Sequence, residues 1–181
     1  MLITIRELMV RPVDFDEKFA PGSIDFGTEV RQASPLQAQG RATLVEEHQA
    51  GQAPIRDIRL VGGFATRVEL RCARCLEPVF RDLKADFDLL YRPAGTVEGH
   101  EVSIREADTE IGFFRGEGVE LEDVLREQVL LAVPVKAVCR EECRGLCPHC
   151  GKNLNAESCQ CRPEHQDPRW ESLREIRDRL K

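Results

Sequence analysis

Alternating hydrophobic and polar positions dominate the first part of the chain and predict β-strands. Residues 64–71 show this most clearly, because apolar and charged side chains take alternate places along the run. Residues 80–91 continue as a second strand with apolar side chains on one face. Shorter strands are expected at residues 2–5, 41–46 and 58–61. Gly62 and Gly63 interrupt the pattern, and we expect a turn there.

The hydrophobic period changes after Gly118, where apolar residues begin to recur at helical spacing. The predicted helical stripe consists of Leu121, Val124, Leu125, Val129 and either Leu131 or Ala132. Pro134 ends this main helix. A terminal helix is expected after Asp167, an N-cap residue, and Pro168, which suits the first helical position. Its apolar face would be formed by Trp170, Leu173, Ile176 and Leu180.

The last cysteines have the spacing of a closed zinc site. Cys147 and Cys150 form a Cys-x-x-Cys turn, and Gly151 suits the tight backbone of a zinc knuckle. Cys159 and Cys161 are two residues apart, so an extended segment points both thiols to the same side. Zinc favours four tetrahedral ligands, and these four cysteines therefore predict one structural zinc site.

Four of the eight cysteines remain. Cys72 and Cys75 fall at the turn between two predicted antiparallel strands, and Cys139 and Cys143 precede the first site. A second four-thiolate site would attach the cysteine-rich segment to the β-rich part, giving two zinc ions. Three alternatives stay open: buried packing for Cys139 and Cys143, a redox pair for Cys72 and Cys75, or an iron–sulfur cluster.

These patterns predict an α+β protein. An antiparallel β-rich core closed by one main helix is expected over residues 1–134. A cysteine-rich zinc module with a C-terminal helix is expected over residues 135–181. Hydrophobic residues make up 41% of the 181 residues, which is enough for one core of this kind.

Charge and the first residues of the chain bear on location and partners. Arg6 and Glu7 interrupt the apolar start, as expected for a chain without a signal peptide. No run approaches the roughly 18 apolar residues of a membrane span. We expect a cytoplasmic protein, in which cysteines bind metal more often than they form disulfides. The net charge of −6 disfavours nucleic-acid binding over the whole surface, so any RNA contact must be local or made through a protein.

A local basic patch coincides with the cysteines. Residues 134–163 contain three acidic residues and five basic ones, namely Lys136, Arg140, Arg144, Lys152 and Arg162. Arg140, Arg144 and Lys152 are the candidate RNA contacts. A solvated zinc module without RNA contact is an equal alternative.

Motifs that carry catalysis do not occur in the sequence. It lacks a His-Glu-x-x-His pair, a phosphate-binding Gly-rich loop and a Gly-x-Ser-x-Gly elbow. His149 lies between two predicted ligands and is expected to face solvent. We therefore predict no catalytic residues and no enzymatic activity.

Four segments, in order along the chain, carry a resemblance to a known family. They are Cys72-Ala-Arg-Cys75-Leu-Glu-Pro, Glu127-Gln-Val-Leu-Leu-Ala-Val-Pro134, Cys143-Arg-Gly-Leu-Cys147-Pro-His-Cys150-Gly-Lys-Asn-Leu-Asn155 and Asp167-Pro-Arg169. Together they resemble the bacterial YceD family, the large ribosomal RNA subunit accumulation proteins. The resemblance spans roughly residues 58–180 and leaves the first fifty without a counterpart.

The resemblance implies a role in the synthesis, processing or stability of large-subunit rRNA, with no catalytic residue to transfer. The expected partner is pre-rRNA of the large subunit or a ribosomal protein, with no membrane and no small-molecule substrate. Two classes of function stay open: a non-catalytic zinc-binding factor in ribosome biogenesis, and a zinc-stabilised interaction adaptor or thiol redox switch unrelated to ribosomes.

Overall fold

The computed structural model describes residues 1–47, 54–95 and 111–161, together with Ile176 and Arg179. In chain order the elements are β1 Leu2–Thr4, α1 Ile5–Leu8, β2 Val13–Phe19, β3 Arg31–Gln32, β4 Leu36–Glu47, β5 Ile55–Arg71, β6 Pro78–Pro93, β7 Ile111–Phe114, β8 Gly118–Glu120 and α2 Leu121–Ala132. This confirms the predicted α+β class. None of the helices described is long and apolar enough to cross a membrane.

The main sheet is built around one long hairpin. Strands β5 and β6, of 17 and 16 residues, pair antiparallel along most of their length, from Ile58 opposite Tyr91 to Arg71 opposite Pro78. The strand order is β2-β4-β5-β6-β7, with β3 paired to β5 beside β4. Among the strands that the structure describes, only β7 runs parallel to its neighbour. A separate two-stranded sheet joins β1 to β8.

One face of the main sheet, here called the inner face, forms the core with α2. Leu60, Phe64 and Val68 alternate along β5 and are buried on this face. In α2, the residues Leu121, Val124, Leu125 and Val129 are buried in the same hydrophobic cluster.

The main helix ends where the sequence predicts. Ala132 packs against the core, whereas Leu131 is 71% exposed, so Ala132 completes the apolar stripe. Val133 is already extended, with φ −66° and ψ 127°, because the residue before a proline avoids the helical region.

The expected turn at Gly62-Gly63 is wrong, since β5 continues through both residues. Gly62 pairs with Gly40 of β4, and the Phe15 ring packs over the pair. A Cβ on Gly40 would lie 2.4 Å from the Val61 carbonyl oxygen and 2.6 Å from Phe15 Cζ. The glycines therefore allow the strands and the Phe15 ring to approach closely. In a sequence, glycines with this role look the same as glycines that mark a turn.

The ends of the chain differ from the prediction in other ways. The first strand ends at Thr4, one residue earlier than expected. Thr4 is the N-cap of α1, and its side chain forms a capping box with Glu7. Strands β2, β3, β7 and β8 were not predicted. The terminal helix lies mostly outside the described residues, although Ile176 is helical and 51% exposed. The division between residues 1–134 and 135–181 stays a prediction.

Candidate metal centres

The turn between β5 and β6 carries two buried cysteines, as predicted. Cys72 is fully buried and Cys75 is 4% exposed. The Cys72 amide donates to the Glu77 carbonyl at 2.9 Å, and the Leu76 amide donates to the Cys72 carbonyl at 2.9 Å. Leu76 has φ 62°, the left-handed region that non-glycine residues seldom adopt. This tight turn directs both thiols away from solvent.

Cys139 and Cys143 meet these two thiols to form the hairpin cluster, Cys72/Cys75/Cys139/Cys143. The Sγ atoms of Cys72 and Cys143 are 3.8 Å apart, and those of Cys75 and Cys139 are 3.7 Å apart. All four sulfurs lie within 4.8 Å of one another. A tetrahedral zinc with bonds of about 2.3 Å requires sulfurs roughly 3.8 Å apart, so the cluster fits such an ion.

Cys147, Cys150, Cys159 and Cys161 form the knuckle cluster, and their sulfurs also lie within 4.8 Å of one another. The Gly151 amide donates to the Cys147 carbonyl at 2.9 Å, and the Cys147 amide donates to the Lys152 carbonyl at 2.8 Å. Gly151 adopts φ 72°, which explains the glycine after the second cysteine.

The structure thus assembles the same two sets of four cysteines that the spacing grouped, and each set can hold a metal ion. Three cysteines of the hairpin cluster are buried and Cys139 is exposed, whereas in the knuckle cluster only Cys147 is buried. The identity of the ion as zinc stays a prediction.

Backbone contacts attach the cysteine-rich segment to the tip of the long hairpin. The Ala73 amide donates to the Ala137 carbonyl at 2.7 Å, and the Leu146 amide donates to the Arg74 carbonyl at 3.0 Å. The Arg74 guanidinium donates to the carbonyls of Glu141 and Cys143 at 2.8 and 2.9 Å. The hairpin cluster therefore lies at a junction that hydrogen bonds also secure.

Two asparagines that the sequence analysis did not assign link the clusters to each other and to the hairpin. Asn155 Nδ2 donates to Cys143 Sγ at 3.3 Å, although Asn155 follows the knuckle. Asn153 Nδ2 donates to Glu77 Oε1 at 3.3 Å. The only sequence signal for them is their place in the segment that resembles the YceD family.

The hairpin cluster contains thiols of opposite character. Burial raises the pKa of Cys72, but amides of Cys75, Arg74 and Cys139 donate to its sulfur and leave the pKa at about 6. The Glu77 amide lowers the pKa of Cys75, yet burial and the three neighbouring thiols raise it to about 12. At pH 7 and without a cation, Cys72 is therefore a thiolate and Cys75 keeps its proton.

The knuckle cluster shows the same division. Amides of Cys150 and His149 outweigh burial and lower the pKa of Cys147 to about 6. Hydrogen bonding to the Cys150 sulfur, followed by burial, raises the pKa of Cys161 to about 12. A divalent cation would remove this conflict by stabilising four thiolates at once.

The three candidate RNA contacts all lie on the surface near the clusters. Arg140 and Arg144 are exposed. Lys152 is exposed as well, but its Nζ lies 3.1 Å from Glu157 Oε2, and this ion pair partly neutralises it. His149 is exposed and belongs to neither cluster.

The fold and the clusters together define a class of protein, a β-sheet protein with two candidate four-thiol metal centres. The central hairpin and a cysteine-rich segment together form one of these centres, and the cysteine-rich segment alone forms the other. The family described as "Large ribosomal RNA subunit accumulation protein YceD" matches residues 60–177. The chain belongs to this family, which confirms the resemblance found in the sequence.

Individual relatives extend this assignment. An uncharacterised protein of Mycobacterium tuberculosis strain H37Rv is 35% identical over 121 residues, covering 66% of this chain and 55% of the relative. The chloroplastic "Large ribosomal RNA subunit accumulation protein YCED homolog 1" of Arabidopsis thaliana is 27% identical over 147 residues, covering 69% and 46%. The chain spans about half the length of these relatives. No solved structure matches it.

Proposed function

We propose that the protein is a non-catalytic zinc-binding factor that acts in the synthesis, processing or stability of large-subunit rRNA in the bacterial cytoplasm. The observation that carries the proposal is a pair of four-cysteine clusters built into a member of a family named for large ribosomal RNA accumulation. Family names on the plant relatives point to the same RNA.

Zinc is the ion that the donor set favours. Four thiolates in a tetrahedron suit zinc, and clustered cysteines of this spacing are typical of structural zinc sites. Four protein ligands leave a zinc ion without a free position for water or substrate, and this supports a structural role in place of a catalytic one.

The proposed partner is large-subunit pre-rRNA or a ribosomal protein. Arg140 and Arg144 are the first candidates for phosphate contacts, because Lys152 is paired with Glu157. Even with Lys152 as a third contact, RNA binding should weaken with salt along a shallow log–log slope of roughly −2 to −3.

Sedimentation of a gentle lysate tests this function. The tagged protein is expected to migrate with immature large-subunit particles or free pre-rRNA. The double variant Arg140→Glu/Arg144→Glu should shift toward the top of the gradient while its metal content stays unchanged. Arg6→Glu/Arg11→Glu is the matched control, because it reverses two charges on exposed residues outside the cysteine-rich segment.

The result for the unaltered protein decides between the two classes of function. If it never migrates with large-subunit precursors, the ribosomal function is wrong and the interaction adaptor replaces it. If it does so but Arg140→Glu/Arg144→Glu has no effect, another surface makes the contact.

A further inference from the structure

The face of the main sheet opposite the core, here called the outer face, is ordered in rows by the strand register. One row runs across Lys18, Gln37, Ala65 and Lys84, because these residues are register partners from β2 to β6. Rows on the same face lie two residues apart along each strand, roughly 7 Å. The register therefore fixes which side chains are neighbours.

Charge on the outer face is divided between its two ends. The end next to the hairpin cluster, here called the basic half, contains the carboxylates Glu69 and Asp82 and five cations, namely Lys18, Arg31, Arg67, Arg71 and Lys84. In the opposite half the exposed cations are Arg41 and Arg59, and the exposed carboxylates are Asp14, Asp16, Asp86 and Asp88. An acidic protein thus has a locally basic surface beside its candidate metal centres.

Arginines in both halves of the outer face form ion pairs with carboxylates, including Arg31 with Glu69 and Arg67 with Asp82 in the basic half. Arg41 Nε lies 2.6 Å from Asp14 Oδ1, and Arg59 Nη2 lies 2.6 Å from Asp88 Oδ2. In the basic half, Lys18 and Lys84 are exposed and have no ion-pair partner among the described residues. Their ammonium groups are available to an anionic ligand.

A shallow hollow of about 460 Å³ lies between these lysines. Lys18, Lys84 and Arg67 line it, Asp82 is the only carboxylate among the described lining residues, and Ala65 contributes a small side chain between the lysines. Arg67 Nε lies 3.8 Å from Asp82 Oδ1, so the two lysines determine the net charge of the hollow and favour an anionic ligand over a cationic one.

An exposed aromatic ring adjoins the hollow in the basic half. Phe80 is 46% exposed on β6, and the Arg67 guanidinium lies over its ring at 5.4 Å from the centroid. Exposed aromatic rings and arginine planes on a sheet are surfaces on which unpaired bases stack. Bases inside a duplex cannot stack on such a ring, because their faces are already covered.

We propose that the basic half of the outer face binds a single-stranded segment of RNA, with Lys18 and Lys84 on phosphates and with Phe80 and the Arg67 guanidinium over its ring beneath a base. The proposal rests on the proposed function and adds a contact surface to Arg140 and Arg144. The combination of cations with an exposed aromatic ring favours RNA over an acidic protein segment.

Fluorescence anisotropy with a labelled single-stranded RNA of mixed sequence tests this surface, using the metal-loaded full chain. Lys18→Gln/Lys84→Gln should weaken binding by on the order of tenfold and reduce the log–log salt slope by roughly 1.4, as expected for two lost phosphate contacts. Phe80→Ala should weaken binding roughly tenfold with the salt slope unchanged, because stacking is not ionic. A matched duplex should bind less tightly than the single strand.

Arg41→Gln/Arg59→Gln is the control, because it removes two positive charges from the same face at the opposite half. It should leave affinity within roughly twofold of the unaltered protein, with thermal unfolding checked for every variant. Equal loss in the control and in Lys18→Gln/Lys84→Gln would show a net-charge effect and overturn the proposal.

Sedimentation with large-subunit precursors separates this proposal from the function on which it rests. Unaltered affinity in both Lys18→Gln/Lys84→Gln and Phe80→Ala overturns the surface while leaving the function intact. Migration with precursors without binding to free RNA also overturns the surface and indicates a protein partner. If the protein neither migrates with precursors nor binds free RNA, both the proposed surface and the proposed function are wrong.

Discussion

Four sulfur atoms within 4.8 Å cannot all be thiolates unless a cation lies among them. In each cluster, amide groups stabilise one thiolate while crowding keeps another thiol protonated. The cysteine sets could be predicted because spacing and turn signals lie along the sequence. The hydrogen bond from Asn155 to Cys143 could not, since it depends on how the knuckle docks against the hairpin.

Metal affinity should rise with pH. Cys75 and Cys161, with pKa values of about 12, must each release a proton at pH 7 when a metal binds. Below about pH 6, Cys72 and Cys147 are also protonated, so affinity should fall more steeply there. Competition with a chromophoric chelator across this range measures the slope. An affinity independent of pH would contradict thiol coordination.

The two clusters should have different structural roles. Cys147→Ser/Cys150→Ser should disorder the cysteine-rich segment and leave the sheet folded, because the knuckle cluster is local in sequence. Structural zinc contributes on the order of 10 kcal/mol to a small module, so the loss should be large. Limited proteolysis followed by mass mapping measures it, and His149→Ala, between the two ligands, is the control that should retain both metals.

Cys72→Ser should instead loosen the attachment of the segment to the hairpin, because the hairpin cluster joins the two. Proteolysis should then cut between α2 and the knuckle while the knuckle still holds its metal. Unchanged protection in Cys72→Ser would mean that the hairpin cluster does not secure the junction.

At the scale of the elements, alternation predicted the long strands and helical spacing predicted α2, because both patterns are local. The role of glycine could not be read from the sequence. Gly62 allows the Phe15 ring and strand β4 to approach closely, and the sequence alone does not distinguish this role from a turn. Short strands such as β3, only two residues long, owe their form to pairing with β5 and give no periodic signal.

Gly40→Ala should lower stability by about 1–3 kcal/mol, since the new methyl group would meet the Val61 carbonyl and the Phe15 ring. Gly63→Ala is the matched control, because its nearest contact is the movable carboxylate of Asp86 at 2.5 Å. Denaturant unfolding of both variants measures the difference. Equal destabilisation of the two variants would show that the pairing of β4 with β5 does not depend on a close approach at Gly40.

At the scale of the whole molecule, the cysteine-rich segment is attached to the tip of the hairpin formed by β5 and β6. Composition indicated enough apolar residues for one core, and the cysteine count suggested how the cysteine-rich segment is attached to it. The basic half of the outer face could not be foreseen, because Lys18, Arg31 and Lys84 come to lie on one surface only through the register of the sheet.

The most direct test of this account is native mass spectrometry of protein purified without chelator. Two zinc ions per chain are expected, seen as the added mass of two zinc ions on a chain whose eight cysteines are not oxidised. One zinc ion per chain would contradict the hairpin cluster as a metal centre. Bound iron with visible absorbance, or a metal-free chain that remains fully folded, would contradict the zinc-binding account as a whole.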